Sequence, residues 1–242
     1  MPHRTSSLAA LLVAGIIPAL GGCWYRVEKY CPGCTVVDHT KTTVPPVAPG
    51  TDTVVVLVHG ARGFGAEWTD VIADVRHTSG FDLIAWSWPG PFKDPAHDML
   101  ALRTELQALL DSLPASVQEV IVLAHSAGAT ISNIAVRQIR VPAERHMTVA
   151  LLDPPPWHPP ANRPEDPAVP AGIVVKAYLA HDAPPPVQPT PPPSAAEGTD
   201  VPREYIGPVG HDPMVAKVSA RVLEERRQAR GARGARDADG GT

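Results

Sequence analysis

The feature that most constrains the fold of this chain is a serine with small neighbours, placed between an apolar run and a helix-like segment. Residues 124–128 read Ala-His-Ser-Ala-Gly, after the apolar residues 120–123 and before residues 129–136. Small neighbours allow a turn so tight that Ser126 adopts a strained backbone conformation and its hydroxyl projects out of the sheet. The pattern predicts a buried strand, a sharp turn with an exposed hydroxyl, and then a helix.

Strand-like and helix-like patterns alternate along the chain. The predicted strands are residues 54–58, 81–86, 120–123, 147–152 and 172–179, and the predicted helices are residues 66–76, 95 to about 114, 129 to about 140 and 213–223. This alternation predicts an α/β domain over residues 52–225, with a doubly wound, mostly parallel sheet and helices on both faces. Residues 226–242 are rich in arginine, alanine and glycine, and we expect them to be disordered.

The composition allows a packed core but argues against a nucleic-acid partner. The chain has 242 residues, of which 44% are hydrophobic, and its net charge is −4. This net charge gives no electrostatic attraction for nucleic acid. The 29 prolines cluster near residues 45–49, 154–160 and 184–193. We expect loops there, because proline cannot donate a backbone hydrogen bond.

The N-terminus has the pattern of a bacterial export signal. Its apolar stretch, residues 8–20, is too short to span a bilayer. Leu-Gly-Gly-Cys at residues 20–23 resembles the lipobox, in which the signal is cut before a lipid-modified cysteine. We therefore expect a signal peptide over residues 1–22, acylation of Cys23, and a lipid-anchored linker over residues 23–51. An ordinary signal peptide with an incidental cysteine is the alternative.

The two other cysteines, Cys31 and Cys34, lie close together in Cys-Pro-Gly-Cys. A thioredoxin-type redox pair needs a βαβ context, and a zinc site needs a second pair of ligands; the sequence offers neither. In an oxidising envelope a disulfide between Cys31 and Cys34 is expected. We assign this pair no catalytic role, and we predict no metal site and no organic cofactor.

Four segments together resemble the α/β-hydrolase superfamily, and in particular its bacterial lipase-like and esterase-like members. They are Val-His-Gly at 58–60, Trp-Ser-Trp-Pro at 86–89, Ala-His-Ser-Ala-Gly at 124–128 and Gly-His at 210–211. The resemblance covers about residues 52–225. One departure is Ala124. Members of the superfamily commonly have a glycine at this position, two residues before the catalytic serine. The short interval between Asp153 and Gly172 leaves room for a small cap at most.

The resemblance implies a catalytic serine, acid and histidine in that order along the chain. This order restricts the base to the histidines after Ser126, which are His146, His158, His181 and His211. His211 is the expected base, because it follows the last predicted strand and directly precedes the final helix. Loops that follow parallel strands lie together at the carboxyl ends of those strands. A loop there can bring an imidazole to the sharp turn that contains Ser126, which we call the serine turn.

Two aspartates that follow strands compete for the role of the acid. Asp182 is preferred for two reasons. The acid of this superfamily more often follows the later of these two strands, and the chain between Asp182 and His211 is long enough for one connection. Asp153 is the alternative, since Leu-Asp-Pro at 152–154 resembles the acid segment of pancreatic-type lipases. A non-catalytic explanation of Asp153 is a carboxylate that caps a turn beside Pro154.

The oxyanion hole is expected to combine two backbone amides. Ala127, directly after Ser126, supplies one of them. Ala61, in the glycine-rich loop after the first strand of the predicted domain, supplies the other. His59 in the same loop is expected to stabilise the loop rather than to act as a base.

These residues together imply a serine hydrolase that cleaves carboxylic esters through an acyl-enzyme at Ser126. The expected partners are a small-molecule or lipid ester and, through Cys23, a membrane. A thioesterase, a peptidase or an acyltransferase that uses the same residues is the alternative within enzymes. A non-catalytic envelope lipoprotein that keeps the fold is the alternative outside them.

Overall fold

The computed structural model describes residue 27 and residues 29–38, 47–87, 95–154, 167–180, 201–207 and 209–239. Strands and helices alternate along these residues. The strands are β1 Thr35–Asp38, β2 Thr53–Val58, β3 Phe81–Ser87, β4 Glu119–His125, β5 His146–Leu152, β6 Ile173–Leu179 and β7 Arg203–Tyr205. The helices are α1 Thr69–His77, α2 Pro95–Ser112, α3 Ala127–Val136 and α4 Pro213–Asp239, and a 3-10 turn, Ala66–Trp68, precedes α1.

The strands of the described residues form one sheet in the order β1-β3-β2-β4-β5-β6-β7, and every neighbouring pair is parallel. Val56 of β2, for example, lies between Ile84 of β3 and Val122 of β4. Parallel neighbours need crossover connections, and α1, α2 and α3 supply those from β2 to β3, from β3 to β4 and from β4 to β5. The structure therefore confirms the predicted α/β fold with a parallel sheet.

Each face of the sheet has its own apolar core, because successive side chains of a strand point to opposite faces. On one face, Val56 and Val122 pack with residues of α2 and α3. On the other face, Val55 and Ile121 pack with residues of α1 and α4. This double burial explains why β2 is apolar at almost every position. The helices on both faces confirm that the sheet is doubly wound.

The order of the strands places a crevice at the carboxyl ends of β2 and β4. These two strands are neighbours, and the chain leaves β2 toward α1 on one face but leaves β4 toward α3 on the other. Connections that diverge in this way leave an opening between them, where open α/β sheets bind their ligands. The segments at this opening begin after Val58 and His125.

The predicted disorder after residue 225 is wrong for most of this segment, because α4 continues to Asp239. Arginine and alanine are strong helix formers, so the helix can extend beyond its apolar part. Three arginines of the extension, Arg226, Arg227 and Arg230, form ion pairs with acidic side chains of the domain. Tertiary contacts therefore stabilise a segment whose composition suggested disorder.

The predicted linker over residues 23–51 does not hold for residues 29–38. β1 pairs with β3 at one edge of the sheet, and Val27 and Cys31 are buried. The structure joins Cys31 and Cys34 in a disulfide, as expected from the sequence, directly before β1. This stretch is therefore part of the fold. Cys23 and the predicted signal peptide lie outside the described residues.

Candidate active site

Ser126 has the backbone conformation of a sharp turn between β4 and α3. Its φ of 54° and ψ of −124° are unusual for a residue with a side chain. The Ser126 amide donates to the carbonyl of Leu152 at 2.8 Å, and its carbonyl accepts from the amide of Ala129 at 2.9 Å. These bonds hold the strained residue in place. The geometry is the strand–turn–helix arrangement that the sequence predicts.

Two glycines let other backbone segments approach this turn closely. A Cβ atom on Gly128 would lie 2.3 Å from the carbonyl oxygen of His59 and 2.9 Å from that of Val58. A Cβ atom on Gly60 would lie 2.9 Å from the Cβ of Ser126. Side chains do not fit at either position without movement of the neighbouring atoms. The loop after β2 therefore packs directly against the serine turn.

His211, which lies just before α4, contacts Asp153. Its Nδ1 donates a hydrogen bond to Oδ2 of Asp153 at 2.5 Å. This hydrogen bond raises the pKa of His211 above its usual value, and partial burial of the ring opposes the shift. With Nδ1 bonded to the carboxylate, Nε2 is the nitrogen that remains for a proton transfer.

Asp153 is itself held at the end of β5. Its backbone has a φ of 47°, its amide donates to the carbonyl of Tyr178 at 2.8 Å, and Oδ1 accepts from the amide of Ala180 at 3.1 Å. Both carboxylate oxygens therefore have a partner. Such a carboxylate can fix the tautomer and the orientation of the imidazole that it binds.

The structure brings together the alternative acid and the expected base. The preferred acid, Asp182, lies outside the described residues, as do His158 and His181. His146 is the first residue of β5, so it lies at the amino ends of the strands, whereas the serine turn lies at their carboxyl ends. Of the sequence-predicted candidates that the structure describes, Asp153 and His211 are the pair in contact.

The two predicted oxyanion donors lie in two segments that pack together beside Ser126, the loop after β2 and the first turn of α3. Ala127 is the first residue of α3, where backbone amides lack an acceptor within the helix. Ala61 follows Gly60 in the loop after β2 and lines the cleft that also contains Ser126. Nδ1 of the fully buried His59 donates to the carbonyl of Gly60 at 2.7 Å. His59 therefore stabilises the loop, as expected.

Ser126, His211 and Ala61 border one open cleft of about 360 Å³ at the carboxyl ends of the strands. Charged side chains of both signs, Arg62, Glu67 and Asp212, contribute to its walls together with Ser126 and His211. The full lining is Gly60, Ala61, Arg62, Gly63, Gly65, Glu67, His125, Ser126, His211 and Asp212. The cleft can thus hold a ligand against the serine and the histidine at once.

His125 is a residue of this cleft that the sequence analysis did not assign. Its ring centroid lies 4.4 Å from that of His211, and the residue is 3% exposed. Burial, followed by the charge of His211, lowers the pKa of His125 to about 4. Its Nε2 has no hydrogen-bond partner among the described residues. The available signal was its position next to Ser126, but nothing in the sequence placed it beside His211.

No protein-family model matches the chain, and neither the curated proteins nor the solved structures contain a significant match. In the part of the chain that the structure describes, no helix is both long enough and apolar enough to cross a membrane.

Proposed function

We propose that this protein is a serine hydrolase of the α/β-hydrolase type that cleaves carboxylic esters. The observation that carries the proposal is the 2.5 Å contact between His211 and Asp153, beside a cleft that Ser126 and His211 share. A histidine held by a carboxylate, in one cleft with a strained serine, is the arrangement used for acyl transfer. The doubly wound parallel sheet, with its serine turn at a topological switch point, supports this assignment.

In the proposed reaction, Ser126 attacks the ester carbonyl while Nε2 of His211 accepts the hydroxyl proton. Asp153 keeps His211 in the tautomer with the proton on Nδ1 and stabilises the imidazolium ion that forms. The amides of Ala61 and Ala127 donate to the oxyanion of the tetrahedral intermediate. His211 then protonates the leaving alcohol, and water hydrolyses the acyl-enzyme by the same steps.

A fluorophosphonate probe tests the nucleophile directly. We expect stoichiometric labelling of the wild type and none of Ser126→Ala, while Ser79→Ala, a change at an exposed serine, labels like the wild type. Circular dichroism should show that all three proteins are folded. A folded wild type that is not labelled would overturn the proposal and favour a non-catalytic protein.

A panel of substrates tests the reaction class. We expect p-nitrophenyl esters to be hydrolysed, and the rate along a series of acyl chains separates a short-chain esterase from a lipase. If a labelled wild type cleaves no oxygen ester but acts on thioesters or peptides, the ester specificity is wrong while the nucleophile stands.

We also propose that the protein is exported and anchored by acylated Cys23. The support is the signal-like sequence over residues 1–22 and the lipobox-like Leu-Gly-Gly-Cys. Mass spectrometry of the mature N-terminus should find a lipid on Cys23. An unmodified N-terminus after cleavage elsewhere would contradict the anchor without affecting the proposed hydrolase.

A further inference from the structure

The cleft contains a group of metal-ligating side chains that the proposed reaction does not explain. His125, His211 and Asp212 each offer a nitrogen or oxygen atom, and these atoms all lie within 4.8 Å of one another. No cluster of metal ligands is visible in the sequence, where residue 125 is distant from residues 211 and 212. The fold brings them together: His125 ends β4, while the other two directly precede α4.

The chemistry of this group suits a transition metal rather than magnesium or calcium. Two imidazoles and one carboxylate are common ligands of Zn²⁺, whereas Mg²⁺ and Ca²⁺ prefer oxygen ligands. In a tetrahedral zinc site the ligand atoms are roughly 3.3–3.5 Å apart. Asp212 is exposed at the mouth of the cleft, so its carboxylate has room to move toward the two rings.

The surroundings of each imidazole also favour coordination. His125 is buried in the wall of the cleft. Its Nε2 has no hydrogen-bond partner among the described residues, so the ring has unused capacity for a ligand. The hydrogen bond from Nδ1 of His211 to Asp153 orients that ring, as carboxylates commonly do for metal-binding histidines.

We propose that His125, His211 and Asp212 form an inhibitory binding site for Zn²⁺. The inhibition rests on the proposed hydrolase function, because Nε2 of His211 would be both the general base for Ser126 and a metal ligand. One lone pair cannot serve both roles, so a bound Zn²⁺ leaves Ser126 without its base. Removal of the metal restores the enzyme.

Direct metal binding tests the site independently of activity. Isothermal titration of the full-length protein, prepared without a histidine tag, should show one Zn²⁺ per chain. Asp212→Asn and His125→Gln should each weaken binding by at least about tenfold. Co²⁺ in place of Zn²⁺ should give an absorption spectrum typical of a tetrahedral site, and Mg²⁺ should not compete.

Matched controls use the same substitutions away from the cleft. Asp70→Asn at the exposed start of α1 and His146→Gln at the amino edge of the sheet should bind Zn²⁺ like the wild type. Because His125 is buried, its variant requires a folding check, and Asp212→Asn decides if that variant does not fold. Absence of binding by the wild type, or equal binding by Asp212→Asn, would overturn the site.

Labelling by the fluorophosphonate probe tests the inhibition. We expect Zn²⁺ to slow labelling of the wild type, EDTA to restore it, and Asp212→Asn to need at least about tenfold more Zn²⁺ for the same effect. If Zn²⁺ binds but labelling is unchanged, the inhibitory role is wrong. If Zn²⁺ binds and the metal-free protein is never labelled, the hydrolase function fails while the metal site stands.

Discussion

Positive φ angles at non-glycine residues occur, among the described residues, at Ser126 and Asp153. Both are part of the proposed catalytic machinery, one as the nucleophile and the other as the acid that holds His211. Such conformations cost of order 1–3 kcal/mol each and persist only where surrounding contacts enforce them. Here the enforcing contacts are backbone hydrogen bonds to the ends of the neighbouring strands, β5 for Ser126 and β6 for Asp153.

Replacement of Asp153 tests which acid serves His211. In Asp153→Asn the side-chain amide can present an N–H to the ring and favour the wrong tautomer, so kcat should fall by about 10³–10⁴-fold. Asp182→Asn is the matched comparison and should retain most of the wild-type kcat. Steady-state hydrolysis of a p-nitrophenyl ester measures both. A larger loss in the Asp182 variant would make Asp182 the acid, as the sequence analysis preferred.

The pH dependence of the reaction tests the contact between His211 and Asp153 in a different way. The hydrogen bond raises the pKa of His211, so the ring stays protonated, and inactive as a base, up to a higher pH than a free histidine. We expect kcat/KM to fall as the pH drops through a value above about 6.5. In Asp153→Asn this limb should move to lower pH. Identical limbs in both proteins, measured with EDTA present, would contradict this role.

At the scale of elements, the contact between α3 and the loop after β2 determines the geometry of the cleft. The backbone of this loop passes so close to the first turn of α3 that a glycine is required at residue 128. This loop contains Ala61, and α3 begins with Ala127 directly after Ser126. The same packing therefore holds together the segments that contain the proposed oxyanion donors and the proposed nucleophile.

A glycine-to-alanine pair tests this contact. Gly128→Ala should lower the free energy of unfolding by about 1–3 kcal/mol or more, because the new methyl group meets backbone oxygens rather than a flexible side chain. Gly231→Ala, in α4, meets no atom within 4 Å and should be neutral or stabilising by up to about 1 kcal/mol. Urea denaturation measures both changes. Equal stability of the Gly128 variant and the wild type would contradict the close approach.

At the scale of the whole molecule, α4 runs from the carboxyl ends of the strands to their amino ends. Its first residues follow His211 at the cleft, and its later residues reach the amino edge of the sheet. There Arg226 pairs with Glu119 at the start of β4, and Arg230 pairs with Asp52 just before β2. Arg227 pairs with Asp74 of α1. These contacts hold the helix that directly follows the proposed base.

Removal of the three guanidinium groups tests the contribution of these ion pairs. Arg226, Arg227 and Arg230 are partly exposed, so their combined replacement by alanine should cost about 1–2 kcal/mol of unfolding free energy at low salt. The difference from the wild type should shrink in 1 M NaCl, where the Debye length is about 3 Å. Arg103→Ala is the control, because Arg103 bonds to Gln138 rather than to a carboxylate. A triple variant as stable as the wild type would mean that these ion pairs contribute nothing to stability.

Local pattern was sufficient to predict much of the fold and part of the site. The five predicted strands and four predicted helices exist, because their apolar periodicity reflects burial on one face or on both. The serine turn is also a local feature, since it requires small residues two positions before and two positions after the serine. β1 and β7 were missed because these short edge strands have no long apolar run, and their pairing partners lie far away in sequence.

The identity of the neighbours in space depended on the tertiary structure. The sequence ranked Asp182 above Asp153, and only the parallel pairing of β4 with β5 brings Asp153 close to the serine turn. The meeting of His125 with His211 and Asp212 likewise depends on where α4 begins relative to β4. Periodicity reports whether a residue is buried, whereas contacts between distant residues depend on strand order and register, which no local pattern encodes.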